Sequence, residues 1–219
     1  MNVKKCLTAM AAVACALVMT GCATKAPYDY SAFKESRPKS LLVLPPINKT
    51  PEVQASYSVL SYVTRPLAES GYYVMPVTLV AEAFKENGLT EPTDMHATSA
   101  EKLRQIFGAD AALYITISNY GTVYQVINSA TIVTARATLK DLKTGNTLWE
   151  GAATASSNEG QNQQGGLAAL LITAIVKQII GSVTDQSHQI AGVTAARLLS
   201  AGQPRGILFG PRSPNYGKD

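Results

Sequence analysis

Apolar residues return along this chain with different periods, and the periods predict the elements. Leu41-Leu42-Val43-Leu44 is an unbroken apolar run stopped by Pro45-Pro46, the pattern of a strand buried centrally in a sheet. Val53, Tyr57, Leu60, Val63 and Leu67 recur at helical spacing, with Gly71 just past the expected helix end. Pro66 withholds one backbone hydrogen bond and predicts a kink or an early stop. Residues 72–77 read as a second strand, 79–86 as a short helix closed by Asn87-Gly88, and 90–98 as a turn-rich link. Ser99 then caps a third helix that ends at Gly108. Strand, crossover helix and strand imply parallel pairing at this end.

The second half changes period. Leu113, Ile115 and Ile117 alternate with Tyr114, Thr116 and Ser118, and strand tendency resumes after Gly121 through Val126. Val133, Ala135, Ala137 and Leu139 alternate with Thr134, Arg136, Thr138 and Lys140, so this strand has one apolar and one polar face. Asp141 to Asn146 forms a turn before Leu148-Trp149-Glu150, which predicts an antiparallel hairpin. A last amphipathic helix over 184–200 turns Ile190, Val193 and Leu198 inward. The sum is an α/β sandwich: a mixed sheet with helices on one face.

One stretch fits neither period. After the polar loop 158–166, residues 167–180 are apolar nearly all round, with Leu167, Leu170, Leu171, Ile175 and Ile179 among them. As a helix it would reach only about 21 Å, short of a bilayer core. Something must cover its second face. Either the last helix and the Ile207-Leu208-Phe209 island do so within the chain, or a second copy or a protein partner does. Those five residues are the candidate interface.

The amino-terminal pattern concerns location. Residues 1–5 are short and basic, 7–19 apolar, and Thr20-Gly21 small: a signal peptide over 1–21, too short to span as a mature helix. Met19-Thr20-Gly21-Cys22 resembles the bacterial lipobox, with Met where Leu is usual. Cys22 is then the lipidation site, since a thiolate is the nucleophile that accepts a diacylglyceryl group, and added acyl chains such as palmitate make the anchor stable. Ala23, in place of Asp, points to the outer membrane, facing the periplasm, with surface exposure left open. The resulting division is 1–21 signal peptide, 22–39 lipidated tether, 40–201 α/β domain and 202–219 carboxy-terminal tail.

Composition narrows the chemistry. The formal charge of +4 becomes seventeen basic against fifteen acidic residues once Lys4 and Lys5 leave with the leader, and no basic block argues for nucleic acid. Cys6 and Cys15 also leave and Cys22 is consumed, so no thiolate site or disulfide remains. His96 and His188 lack partners at metal spacing and read as surface histidines. No G-x-S-x-G or phosphate-loop motif occurs. Gly165-Gly166 reads as a hinge. Asp110 and Asp141 read as turn-formers and Glu150 stands alone. No catalytic residue, cofactor or metal is assigned, and no enzyme activity is expected.

The segments L-L-V-L-P-P-I-N-K-T-P-E-V, P-L-A-E-S-G-Y-Y-V-M-P-V, K-L-R-Q-I-F-G-A-D-A-A-L-Y-I-T-I, D-L-K-T-G-N-T-L-W-E-G and G-P-R-S-P-N-Y together resemble a family of bacterial lipoproteins of unknown function typified by a neisserial genome-derived antigen. The resemblance implies a domain like the amino-terminal domain of TolB, the Tol–Pal translocation protein, and genes beside one for a curli-secretion-channel-like lipoprotein. It transfers one functional residue, Cys22. A binding or assembly accessory of such a channel is the leading expectation. An activator of periplasmic cell-wall synthases is the alternative, and an uncharacterised enzyme the weaker one.

Overall fold

The computed structural model describes residues 28–124, 129–159 and 185–218. In chain order these form α1 (Ser31–Ser36), β1 (Ser40–Val43), β2 (Ile47–Asn48), α2 (Ala55–Glu69), β3 (Tyr73–Val74), α3 (Val77–Glu86), α4 (Pro92–Ala97), α5 (Ala100–Phe107), β4 (Ala111–Tyr124), β5 (Ser129–Asp141), β6 (Thr147–Ser156) and α6 (Gln186–Leu199). The sheet order is β3-β1-β4-β5-β6, and β2 continues beside β4. Pairing is parallel among β3, β1, β2 and β4 and antiparallel from β4 to β5 to β6. The α/β sandwich with a mixed sheet is the predicted one.

The helices, however, lie on both faces at the parallel end, not on one. Successive strand residues point to opposite sides. Leu41 and Val43 join a cluster with Val59, Val63 and Leu67 of α2 and with Ile190 and Leu199 of α6. Leu42 and Leu44 join a second cluster with Val80 and Phe84 of α3, Met95 of α4 and Leu103 of α5. Topology supplies the reason. The crossover through α2 steps from β1 outward to β3, while the one through α3–α5 steps back past β1 to β4. Right-handed crossovers in opposite directions place their helices on opposite faces.

Among the described residues, the antiparallel end carries helices on one face. Val133, Ala135, Ala137 and Leu139 of β5 and Trp149 and Ala155 of β6 are buried in the cluster that contains α6. Arg136, Glu150, Ala152 and Thr154 on the other face are exposed. A bulge between Ile117 and Asn119 interrupts β4. One extra residue shifts the alternation, so the helix-facing set passes from Leu113, Ile115 and Ile117 to Tyr120.

Several local expectations need correction. The stretch 28–39, expected as tether, is folded: α1 buries Phe33. The stretch 202–218, expected as tail, closes the core through Ile207 and Leu208, with Gly210 N–H bonding Ser70 O at 2.8 Å and Arg212 N–H bonding Gly71 O at 3.0 Å. Gly71 is required there, because its φ is 98° and a Cβ would lie 2.5 Å from Ser213 N. Strand β3 is only two residues long, and the turn-rich link contains α4, started by Pro92 in its first turn. Helix α2 buries Ala55, Ser58, Val59, Val63, Pro66 and Leu67, whereas Val53 and Tyr57 are exposed; small residues define the buried stripe. Pro66 neither stops nor precedes the end by more than three residues, since it sits in the last turn. Ser99 caps α5 by accepting from Lys102 N–H, and Gly108 ends it with φ 66°, as predicted.

Candidate functional site

Cys22 and the five candidate interface residues, Leu167, Leu170, Leu171, Ile175 and Ile179, lie outside the described residues. What the structure does show is how the described chain is held where it begins, at Tyr28. Tyr28 and Tyr30 pack with ring centroids 4.7 Å apart, and Tyr30 meets Phe33 at 6.4 Å. Glu150 N–H donates to the Tyr28 hydroxyl at 2.8 Å, and the Tyr30 hydroxyl donates to Gly206 O at 2.5 Å. Three aromatic residues, the first of them six positions after Cys22, thus fasten the amino-terminal segment to β6 and to the carboxy-terminal strap, 202–218.

Beside this clamp, along the outer edge of β6, lies a cavity of about 550 Å³ whose walls include Tyr28, Arg136, Glu150, Arg197 and Arg205. An edge strand exposes backbone groups that invite another strand; here side chains occupy them. Tyr28 takes Glu150 N–H, Arg197 donates to Thr154 O at 2.8 Å, and the Glu159 carboxylate accepts from Ser156 N–H at 2.8 Å. Arg197 also forms a bidentate ion pair with Glu159. Trp149 is buried behind the cavity, its Nε1–H donating to Arg205 O at 3.0 Å. Gly151 makes room for the indole, since a Cβ there would lie 2.3 Å from the ring. Arg205 adopts φ 61°, and its guanidinium lies 5.5 Å from the Tyr28 ring centroid, a cation–π contact.

A second concavity, about 570 Å³, runs between α2 and α6 and is walled by Tyr62, Pro66, Gln189, Gly192, Val193 and Ala196 among others. Gly192 costs helix propensity but lets the Tyr62 ring approach, because a Cβ would stand 3.0 Å from it. At one end Tyr62 packs on the His188 ring at 4.7 Å. Ser58 Oγ lies 2.7 Å from His188 Nδ1 and accepts from the Tyr120 hydroxyl at 2.9 Å. Which of Ser58 Oγ and His188 Nδ1 donates in this contact is set by the imidazole tautomer.

A serine bonded to a histidine is the first requirement of nucleophilic catalysis. Ser58, though, is inside α2 with 6% exposure, and its oxygen already joins two partners. The geometry ties α2, β4 and α6 together. Burial, followed by the Asp185 carboxylate, pushes the Tyr62 phenol upward.

The remaining candidates are structural. His96 is not on a bare surface turn: it sits in α4, with Nε2 2.9 Å from Pro45 O and its ring edge-on to Tyr114. Burial holds its pKa below the ordinary imidazole value, against the Pro45 bond. Asp110 accepts from Lys39 N–H, Ser40 N–H and Ser40 Oγ–H. Asp141 accepts from Lys143 and Thr144 N–H at 2.7 Å each and from Ser36 Oγ–H, so Asp141 organises its turn as expected, whereas Asp110 pins the distant start of β1 instead of a local turn. Among the described residues no three His, Cys, Asp or Glu side chains gather as metal ligands. Sequence reading missed the Ser58–His188–Tyr120 cluster and the Arg136–Arg205 pair, whose members are 62 to 130 residues apart and carry no local spacing signal. The tyrosines at 28 and 30 were visible as aromatic residues inside an otherwise polar tether, the one signal that could have marked the clamp.

Comparison with known proteins follows the same outline. The family described as "Putative lipoprotein GNA1162-like" matches residues 28–212, the span from the clamp to the strap. "Putative lipoprotein NMB1124/NMB1162" of Neisseria meningitidis serogroup B is 48% identical over 203 residues, covering 91% of this chain and 94% of that protein. The crystal structure of lipoprotein GNA1162 from Neisseria meningitidis superposes with a TM-score of 0.54 at 46% identity, covering 66% of this chain and all of that one. A PelC dodecamer from Paraburkholderia phytofirmans gives a TM-score of 0.40 at 15% identity over 70% of this chain and 89% of that one. The chain belongs to the GNA1162-like lipoprotein family.

Proposed function

We propose that this protein is a lipoprotein anchored through Cys22 in the outer membrane, facing the periplasm, where it serves as a binding and assembly accessory and not as an enzyme. The observation that carries the reading is the clamp of Tyr28, Tyr30 and Phe33, which begins six residues after Cys22. An anchor joined so closely to a folded domain presents that domain at the membrane. The partner class to test first is a curli-secretion-channel-like lipoprotein, and the sequence assigns the contact to Leu167, Leu170, Leu171, Ile175 and Ile179.

The test combines fractionation with crosslinking in intact cells. Cys22→Ala is expected to abolish palmitate incorporation and release the protein from the outer-membrane fraction; continued incorporation overturns the anchor. Crosslinking the lipidated full-length protein is expected to capture a channel lipoprotein, and Leu171→Ser with Ile175→Ser to lose that product while the fold persists. Capture of a cell-wall synthase instead replaces the channel accessory with the activator reading.

A further inference from the structure

We infer that the β6-edge cavity is the face on which the domain docks against the anionic phosphate headgroups of the bilayer carrying its anchor, through Arg136 and Arg205. The inference rests on the Cys22 anchor proposed above. It has two independent supports, the length of chain between anchor and domain and the charge of the surface where that chain arrives.

Six peptide steps separate Cys22 from Tyr28, and fully extended they span at most about 22 Å. A domain of this size is about 40 Å across by compact-chain scaling. If the face opposite Tyr28 met the bilayer, Tyr28 would stand farther from it than the linker reaches. Tyr28 is therefore held within about 22 Å of the lipid, which excludes the opposite face and keeps the surface around Tyr28 within reach of it.

That surface has the chemistry of a headgroup contact. Arg136 is exposed on the open side of β5, and Arg205 is exposed with its guanidinium over the Tyr28 ring. The ion pairs found among the described residues involve neither. Arg197 in the same wall is neutralised by Glu159. Glu150 is the opposing charge in the cavity; its carboxylate accepts from Thr138 Oγ1–H at 3.4 Å, and its backbone N–H holds Tyr28. Planar guanidinium groups match phosphate oxygens in pairs, and tyrosine is favoured at the headgroup level. Arg205 is presented by the backbone: its carbonyl is fixed by Trp149, and its positive φ turns the strap at that point.

The single tryptophan of the chain lies behind the cavity and reports on it. Lipidated full-length protein is reconstituted into vesicles of phosphatidylcholine alone or with phosphatidylglycerol, each with a trace of dansyl-headgroup lipid. Energy transfer from Trp149 to dansyl is then read. Transfer is expected to be higher with phosphatidylglycerol and to fall in high salt, because exposed charge attraction is screened. The double variant Arg136→Glu with Arg205→Glu should lose the phosphatidylglycerol-dependent gain, each arginine near an anionic surface being worth about fivefold in partitioning. Arg136→Lys with Arg205→Lys should keep most of it. Unchanged Trp149 emission and near-ultraviolet circular dichroism establish that the variants are folded, and Arg136→Gln alone serves if the double reversal is not. Transfer that ignores lipid charge and arginine reversal while the protein floats with the vesicles overturns the docking face and leaves the anchor standing. Wild-type protein that fails to float overturns the anchor, and the docking with it.

Discussion

At β1 the sheet is covered on both faces, by α2 and α6 on one side and α3, α4 and α5 on the other. Two strands away, the described residues cover β5 on one face, and Arg136 is exposed on the other. Among the described residues the same sheet is therefore three layers thick at its parallel end and two at its antiparallel end. The difference is written in the strand patterns: three consecutive buried apolar residues in β1, continued by Leu44, against alternation from Thr131 to Asp141 in β5. It also separates roles. The three-layer end supplies most of the buried side chains, and the two-layer end keeps a polar face and a side-chain-capped edge beside Tyr28.

The comparison breaks most visibly through truncation. Leu42→Ala at the three-layer end removes a fully buried side chain and is expected to cost about 2–5 kcal/mol, read as a lower urea midpoint. Thr154→Ala on the open face should change stability by less than about 0.5 kcal/mol. Equal losses at the two positions would mean that the open face is covered after all. Next in size is Gly151→Ala, which forces a Cβ onto the Trp149 ring; about 1–3 kcal/mol is expected, with a changed Trp emission spectrum from the displaced indole. An unchanged spectrum would show that β6 can yield there.

The smallest effect sharpens the comparison by pH. Burial raises the Asp141 pKa, but bonds from Ser36, Thr144 and Lys143 outweigh it and leave the carboxyl below its ordinary value. A lowered folded pKa means the unfolded chain takes up the proton first. The stabilisation is complete above the unfolded value, about 3.9, and disappears as pH falls through the lower folded value. Acid should therefore loosen the β5–β6 turn, measured by amide exchange at Lys143 and Thr144. Asp141→Asn should flatten that acid response, with an effect of about 1 kcal/mol.

The long periodic elements were legible because burial imposes a period on them: β5, β6, α5 and the inward residues of α6 all stand where alternation or helical spacing puts them. The two-sided cover of β1 was latent in Leu41 to Leu44, yet which side each helix takes depends on strand order, which a single sequence does not print. Helix α2 misled because Tyr57 has the bulk of a core residue while Ala55 and Ser58 occupy the buried stripe. The clamp and strap were least legible. Tyr28, Tyr30, Ile207 and Leu208 have no period, and their places are set by partners as far away as Tyr72, whose hydroxyl bonds Leu208 O at 2.6 Å. The Ser58–His188 contact spans 130 residues, so neither residue type nor spacing announces it.

The strap has a consequence in time. Tyr30 meets Gly206 across 176 positions, and Tyr72 meets Leu208 across 136, so the core closes on contacts between residues made early and late in synthesis. Long-range closure of this kind slows folding. A chain whose residues 206–210 have not yet emerged lacks both the lid over Tyr72 and the latch on Tyr30, and it stays open during synthesis. On the proposed export route that delay is useful, since a threadable chain is what an export channel accepts, and the fold would shut only after the strap had followed the proposed anchor across.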